Sequence, residues 1–287
     1  MGRETHNRID NDFYNKTGDS WWQPDSPLYL LQASFNPART GYFKSILFEK
    51  MKLDPGGKSA LEVGCGGGLL CEEIARMGFE TGGIDPSGNS LRTAAKHAKA
   101  SGLCIDYRQG TGEDLPYVEN SIDVIFCCDV LEHVNNPAVV ISEISRILKP
   151  GGVFFYDTIN RTVLSRLAAV KLAQEWRRWA FAPPNLHVWE KFIKPAELNK
   201  ILCDNGLEGK EQRGLKWNAS TFELLHCLHC RAKGLLTYED IGKKLLMAES
   251  KNKSIMYMGY AIKMNHKDHN GRSKYVEDKA GGFFEGA

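Results

Sequence analysis

The sequence predicts an α/β fold: a mostly parallel sheet with helices on both faces. Three observations predict it. Apolar runs alternate with amphipathic helical patterns between residues 59 and 158. The first run, Ala60–Val63, enters the turn Gly64-Cys65-Gly66-Gly67-Gly68, and a helical pattern follows at once. Acidic residues then close later runs: Asp85, 21 residues after Gly64, and Asp129, which follows Cys127-Cys128.

Taken in order, strands are predicted near 59–64, 80–84, 104–108, 122–128 and 153–158, with helices near 68–77, 88–100 and 137–147. Ligands of such sheets bind at the carboxyl ends of the strands. The Gly64 turn, Asp85 and Asp129 all fall there. Residues 1–50 read as an N-terminal helical cap with an aromatic, polar entry, and 51–264 as the main domain. Residues 265–287 read as a polar, glycine-rich tail, expected to be disordered.

Composition narrows the class. A chain of 287 residues, 42% hydrophobic, can bury a full core. A net charge of +2 gives no general attraction to nucleic acid. Eight cysteines without a paired framework suit a reducing compartment. No apolar run approaches the ~20 residues of a membrane span. The N-terminus has neither a signal peptide's apolar segment nor the acid-free character of a presequence. A soluble, cytoplasmic protein is expected.

The glycine turn brings backbone N–H groups and the start of a helix to bear on a small anionic group. A dinucleotide fingerprint needs a third glycine where Leu69 stands, and no Gly-Lys-Ser/Thr follows for a P-loop. Instead, Glu62, Gly64, Gly66 and Gly68 resemble the acidic-x-Gly-x-Gly-x-Gly motif of class I S-adenosylmethionine (SAM) methyltransferases. That resemblance implies a Rossmann-like, seven-stranded, mostly parallel sheet, with late strands near 207–214 and 256–263. It implies Asp85 at the ribose hydroxyls, and Glu113 and Asp114 beside the adenine.

Flanking segments are more discriminating. Asp19-Ser20-Trp21-Trp22, the Asn36-Pro37-Ala38-Arg39-Thr40-Gly41-Tyr42 stretch, Thr158-Ile159-Asn160-Arg161 and Phe192-Ile193-Lys194-Pro195-Ala196-Glu197-Leu198 resemble the ubiquinone-biosynthesis O-methyltransferases. The resemblance runs from about Asp12 to Gly214 and returns at Tyr257–Ala261. Carried over, it places SAM contacts on Arg39, Gly64, Asp85 and Cys128. Arg39 would hold the methionine carboxylate in two parallel bonds, and Cys128 would contribute chiefly its backbone. A divalent cation, Mg²⁺ or Zn²⁺, would fall on Asp129, Glu132 and His133, which share a face if a helix begins at 129. His133 is the candidate catalytic base or a metal ligand. His187 could line the acceptor pocket, although its aromatic neighbours favour packing.

Residues 160–183 form a basic amphipathic insertion. Leu164, Ala168, Leu172, Trp176 and Trp179 recur at helical spacing, and five basic residues (Arg161, Arg166, Lys171, Arg177 and Arg178) face one acid, Glu175. This pattern suits peripheral contact with an anionic membrane, or a lid over the site. The segment 215–255 departs from the family, and within it His226–Cys230 reads as core helix rather than half a zinc site. The expected function is O-methylation of a phenolic or catecholic hydroxyl on a polyprenylated quinone precursor. The alternative is a class I methyltransferase with another small-molecule or lipid acceptor, methylated on O, N, S or C.

Overall fold

A computed structural model describes residues 12–176, 180 and 186–265. Its centre is an eight-stranded sheet in the order β3-β2-β1-β4-β5-β8-β6-β7. Strands β1 (Ser59–Val63), β2 (Glu80–Asp85), β3 (Ile105–Gln109), β4 (Ile122–Cys128) and β5 (Leu148–Ile159) pair in parallel. Strand β6 is Leu207–Trp217, β7 is Met247–Ser250 and β8 is Met256–Lys263. Strand β8 runs antiparallel between β5 and β6.

The inner strands are nearly continuous apolar runs because helices cover both faces of the sheet. Ile125, Phe154 and Tyr156 are buried on one face, packed beside the helices Pro137–Ile147 and Pro195–Asp204. Val124, Phe126 and Phe155 are buried on the other, beside Phe43 and Leu47 of the N-terminal helical run. That alternation along β4 and β5 is the two-residue period of a strand.

Two expectations change here. The sheet has an eighth strand, β7, contributed by the divergent segment 215–255. The same segment supplies the helices Thr221–Ala232 and Tyr238–Lys244. They pack on the N-terminal run so closely that a Cβ on Gly242 would stand 2.4 Å from that of Ala33. Cys227 and Leu228 are buried in this small core, as read from the sequence. Second, no helix begins at Asp129. Asp129 takes a left-handed φ of 53°, residues 131–133 form a turn and 134–135 a bend, and the next helix starts at Pro137, after the Asn136 cap.

The insertion also differs from an ordinary amphipathic α-helix. Arg166–Glu175 winds as a wider π-type helix. Its buried residues are Ala173 and Gln174, while Leu167 is 54% exposed; beyond its ends, Val163 is 73% and Trp176 57% exposed. Arg177, Arg178 and Trp179 lie outside the described residues, as do 181–185 and 266–287, which hold nearly all of the expected tail.

Candidate active site

A cavity of about 630 Å³ opens at the carboxyl ends of β1, β2 and β4. It brings together Arg39, Glu62, Gly64, Gly66, Asp85, Glu113, Cys128, Asp129 and His133 of the sequence-predicted residues. Gly68, Asp114 and Glu132 do not line it. Tyr14, Trp21, Ser87 and Gln109 do, without having been singled out as site residues. The Trp-Trp pair carries a family resemblance but no role of its own in the sequence, and a lone Tyr or Gln carries no positional signal.

The glycines serve the protein's own packing as much as a ligand. A Cβ on Gly64 would come within 2.3 Å of Val130 Cγ2, and Gly64 also has a φ of +76°. Trp21 occupies the space a Cβ would need at Gly66 (2.5 Å) and at Gly67 (2.2 Å), and the Tyr107 hydroxyl does so at Gly68. Trp21 donates to Ser90 Oγ at 2.9 Å, while Trp22 donates to the Gly67 carbonyl and stacks on His97. The N-terminal segment is therefore clamped over the turn.

Asp85 accepts from the backbone N–H of Gly66 on Oδ2 and of Ser87 on Oδ1, both at 2.8 Å. It thus ties the first strand–helix turn to the second. Each oxygen keeps lone-pair capacity for ribose hydroxyls. Glu62 is buried, and its Oε2 has no hydrogen-bond partner. Burial pushes its carboxyl up to about 8, against the lowering influence of the Cys71 thiol and Arg39. Such an atom in a cavity awaits a donor.

Arg39 departs from its expected geometry. Its fork is turned on Asp157, at 2.7 Å from Nε to Oδ2 and 3.0 Å from Nη2 to Oδ1. Nη2 also pairs with Asp129. The pair of hydrogen bonds expected to clamp the cofactor's carboxylate is made inside the protein, because β5 carries a buried acid near its end, with Asp157 opposite Cys128 of β4. Burial raises Asp129, but the Arg39 guanidinium prevails and holds it below the usual range.

The metal expectation finds no support in the same facts. Among the described residues, no three His, Cys, Asp or Glu side chains are gathered to hold a metal ion. Without the helix, Asp129, Glu132 and His133 lose their common face. Asp129 is committed to Arg39, and Glu132 Oε2 accepts from the Thr158 hydroxyl at 2.8 Å. Burial, then the charge of Asp129, pushes the Glu132 carboxyl upward.

His133 is buried with its ring near Tyr14 (6.0 Å between centroids) and His187 (5.2 Å). Burial, then His187, lowers it to about 3. It is a neutral imidazole at neutral pH, the form a general base requires, although burial makes it a weaker base than a solvated one. Glu113 lines the cavity, whereas Asp114 is exposed, its N–H bonded to the Thr111 carbonyl at 3.3 Å. Cys128 is buried and burial holds its thiol far above the ordinary range.

These features fit SAM: a glycine turn, an acid after β2, and an orphaned carboxylate oxygen in one cavity. Comparison with known proteins agrees. Residues 61–156 match the family model described as a methyltransferase domain. The chain is 37% identical over 204 residues to the ubiquinone biosynthesis O-methyltransferase of Rhizobium etli, covering 69% of this chain and 81% of that one. It is 36% identical over 222 residues to that of Bartonella bacilliformis, covering 75% and 88%. Among solved structures, its fold is similar to the magnesium protoporphyrin IX methyltransferase of Synechocystis, with a TM-score of 0.58, 17% identity and coverage of 88% and 97%. A SAM-dependent methyltransferase from Aquifex aeolicus gives 0.54 at 15% identity, covering 86% and 98%. The chain is a SAM-dependent methyltransferase and belongs to the ubiquinone biosynthesis O-methyltransferase family.

Proposed function

We propose that this chain methylates a phenolic hydroxyl of a catechol-type ring on a polyprenylated quinone precursor, with His133 receiving the phenolic proton. The observation that carries the reading is the position of His133: a buried, neutral imidazole in the same cavity as the Gly64 turn. The names of the relatives support the choice of acceptor. When bound, SAM supplies an already activated methyl group, so alignment and proton removal are what remain for the protein. Glu62 Oε2 would take the cofactor's ammonium, Asp85 the ribose hydroxyls and Glu113 the adenine edge. Nη1 of Arg39, which donates across a long 3.5 Å to Asn36, is the part of that guanidinium left for a carboxylate. The His133 imidazole then accepts the hydroxyl proton as the oxygen gains its methyl.

A hydrophobic acceptor has to be drawn from a bilayer. The described part of the insertion turns its small and polar residues inward and leaves Val163, Leu167 and Trp176 exposed. That inversion favours contact with a membrane surface. No helix among the described residues is long and apolar enough to cross one.

The test is methyl transfer from SAM to a prenylated catechol, followed by release of the demethylated cofactor. Turnover that falls sharply in His133→Asn is expected. A wild-type enzyme that binds SAM yet leaves the catechol unmethylated sinks this acceptor and favours another. Flotation with anionic liposomes tests the membrane contact: equal recovery of wild type and a Leu167→Glu/Trp176→Ala variant overturns it.

A further inference from the structure

The aromatic neighbours of His187 in sequence favour packing, and the structure gives it features that packing does not explain. Its Nδ1 is buried and has no hydrogen-bond partner. Leaving a buried polar atom unpaired costs free energy, so an orphan next to His133, although outside the lining of the cavity itself, calls for a functional account. Burial lowers the ring to about 4, so Nδ1 or Nε2 stands open as an acceptor at neutral pH.

Its backbone is held from both directions by one side chain. The His187 N–H donates to Gln174 Oε1 at 2.6 Å, and Gln174 Nε2 donates to the His187 carbonyl at 3.0 Å. Gln174 is only 6% exposed, on a helix whose Leu167 is exposed. The clamp spends the amide on backbone and leaves the imidazole uncommitted. That imidazole lies 5.2 Å from the His133 ring, centroid to centroid, and is braced on its other contacts by the edge of Phe192.

Two neutral imidazoles at that separation can address neighbouring oxygens on one aromatic ring. We propose that His187 is a specificity-determining residue: its Nδ1 accepts a hydrogen bond from the acceptor hydroxyl adjacent to the one methylated, and Gln174 positions it. The proposal rests on the reading of His133 as the base and of the acceptor as a catechol. No proton leaves the second hydroxyl. The one proton released in methyl transfer passes from the first hydroxyl to His133. A site built to pair a hydroxyl discriminates strongly against an analogue lacking it.

The experiment compares two short-chain prenylated acceptors on the full-length protein, one a catechol and one lacking the second hydroxyl. The measured quantity is the ratio of their kcat/KM values. His187→Phe fills the space without a nitrogen and is expected to lower kcat/KM on the catechol by about 10- to 100-fold. It should leave the monohydroxy acceptor and the KM for SAM nearly unchanged, so the ratio collapses. His187→Asn, which can present an amide oxygen near the Nδ1 position, should recover part of it. Gln174→Ala should shift the ratio in the same direction by less, and supplies the measurement if a His187 variant fails to fold. Equal losses on both acceptors, or an unchanged ratio, overturn the assignment while leaving the proposed reaction standing. A wild-type enzyme that binds SAM and methylates neither compound overturns the acceptor reading, and this assignment with it.

Discussion

Arg39 and Asp157 form a two-bond ion pair across 118 residues of sequence, with the guanidinium fork spanning both carboxylate oxygens at 2.7 and 3.0 Å. Asp157 Oδ1 also accepts the N–H of Asp129 at 3.0 Å. One fully buried carboxylate therefore pins the N-terminal run and the left-handed residue after β4. Asp157→Asn would leave Arg39 buried with half a partner, at a cost of about 3–5 kcal/mol. Urea unfolding should show that loss. The pair Arg39→Met/Asp157→Leu should regain stability but not SAM binding; a double variant that binds SAM normally would remove Arg39 from the site.

Glu62 makes stability depend on pH. Its carboxyl is raised from an ordinary 4.5 to about 8 by burial, so the folded protein prefers the protonated form. That stabilisation is complete below about 4.5 and is lost as pH rises through about 8. Glu62→Gln, permanently neutral, should be more stable than wild type above pH 8, by a few kcal/mol, and equal to it at pH 4.5. It should bind SAM more weakly, because an amide offers the ammonium no charge. Parallel stability curves for the two proteins would show that Glu62 is not the titrating group.

Gly64→Ala adds a Cβ 2.3 Å from Val130 Cγ2 at a φ of +76°. Backbone strain alone should cost about 1–3 kcal/mol, and calorimetry should show SAM binding lost. Adding Val130→Ala relieves the clash but not the strain, so recovery should be partial. Full recovery would mean that the glycine serves side-chain packing alone.

His133 is held near 3, so it stays a neutral base across pH 5–8. The pH–rate profile should show no acid limb near 6.5, the ordinary histidine value. His133→Asn should lower kcat by about 10²–10⁴-fold with the KM for SAM unchanged. A wild-type limb near 6.5 that vanishes in this variant would mean that the loaded site re-solvates the ring.

The order of elements from β1 to β5 was legible because each depends on local pattern. Apolar runs and the Gly64 turn are written within a few residues of where they act. The cofactor was legible through resemblance: Glu62, Gly64, Gly66 and Gly68 match the glycine motif of class I SAM methyltransferases, with Asp85 one strand–helix unit further on. Arg39 was found through its neighbours in sequence, but its partner was not. Nothing near residue 39 points to Asp157, and a two-bond clamp looks the same from sequence whichever carboxylate fills it.

The shared face of Asp129, Glu132 and His133 failed on one backbone angle. A left-handed Asp129, fixed through its N–H by Asp157, ends the strand in a turn where helical spacing does not apply. Trp21 over Gly66 and Gly67, and Gln174 clasping His187, likewise join segments that no sequence interval relates. The sequence by itself determined the fold class, through periodicity, and the cofactor and family, through the resemblance its short motifs carry. Only the tertiary structure decided which buried charges pair and which polar atoms are left without partners, because desolvation acts on groups brought together in space.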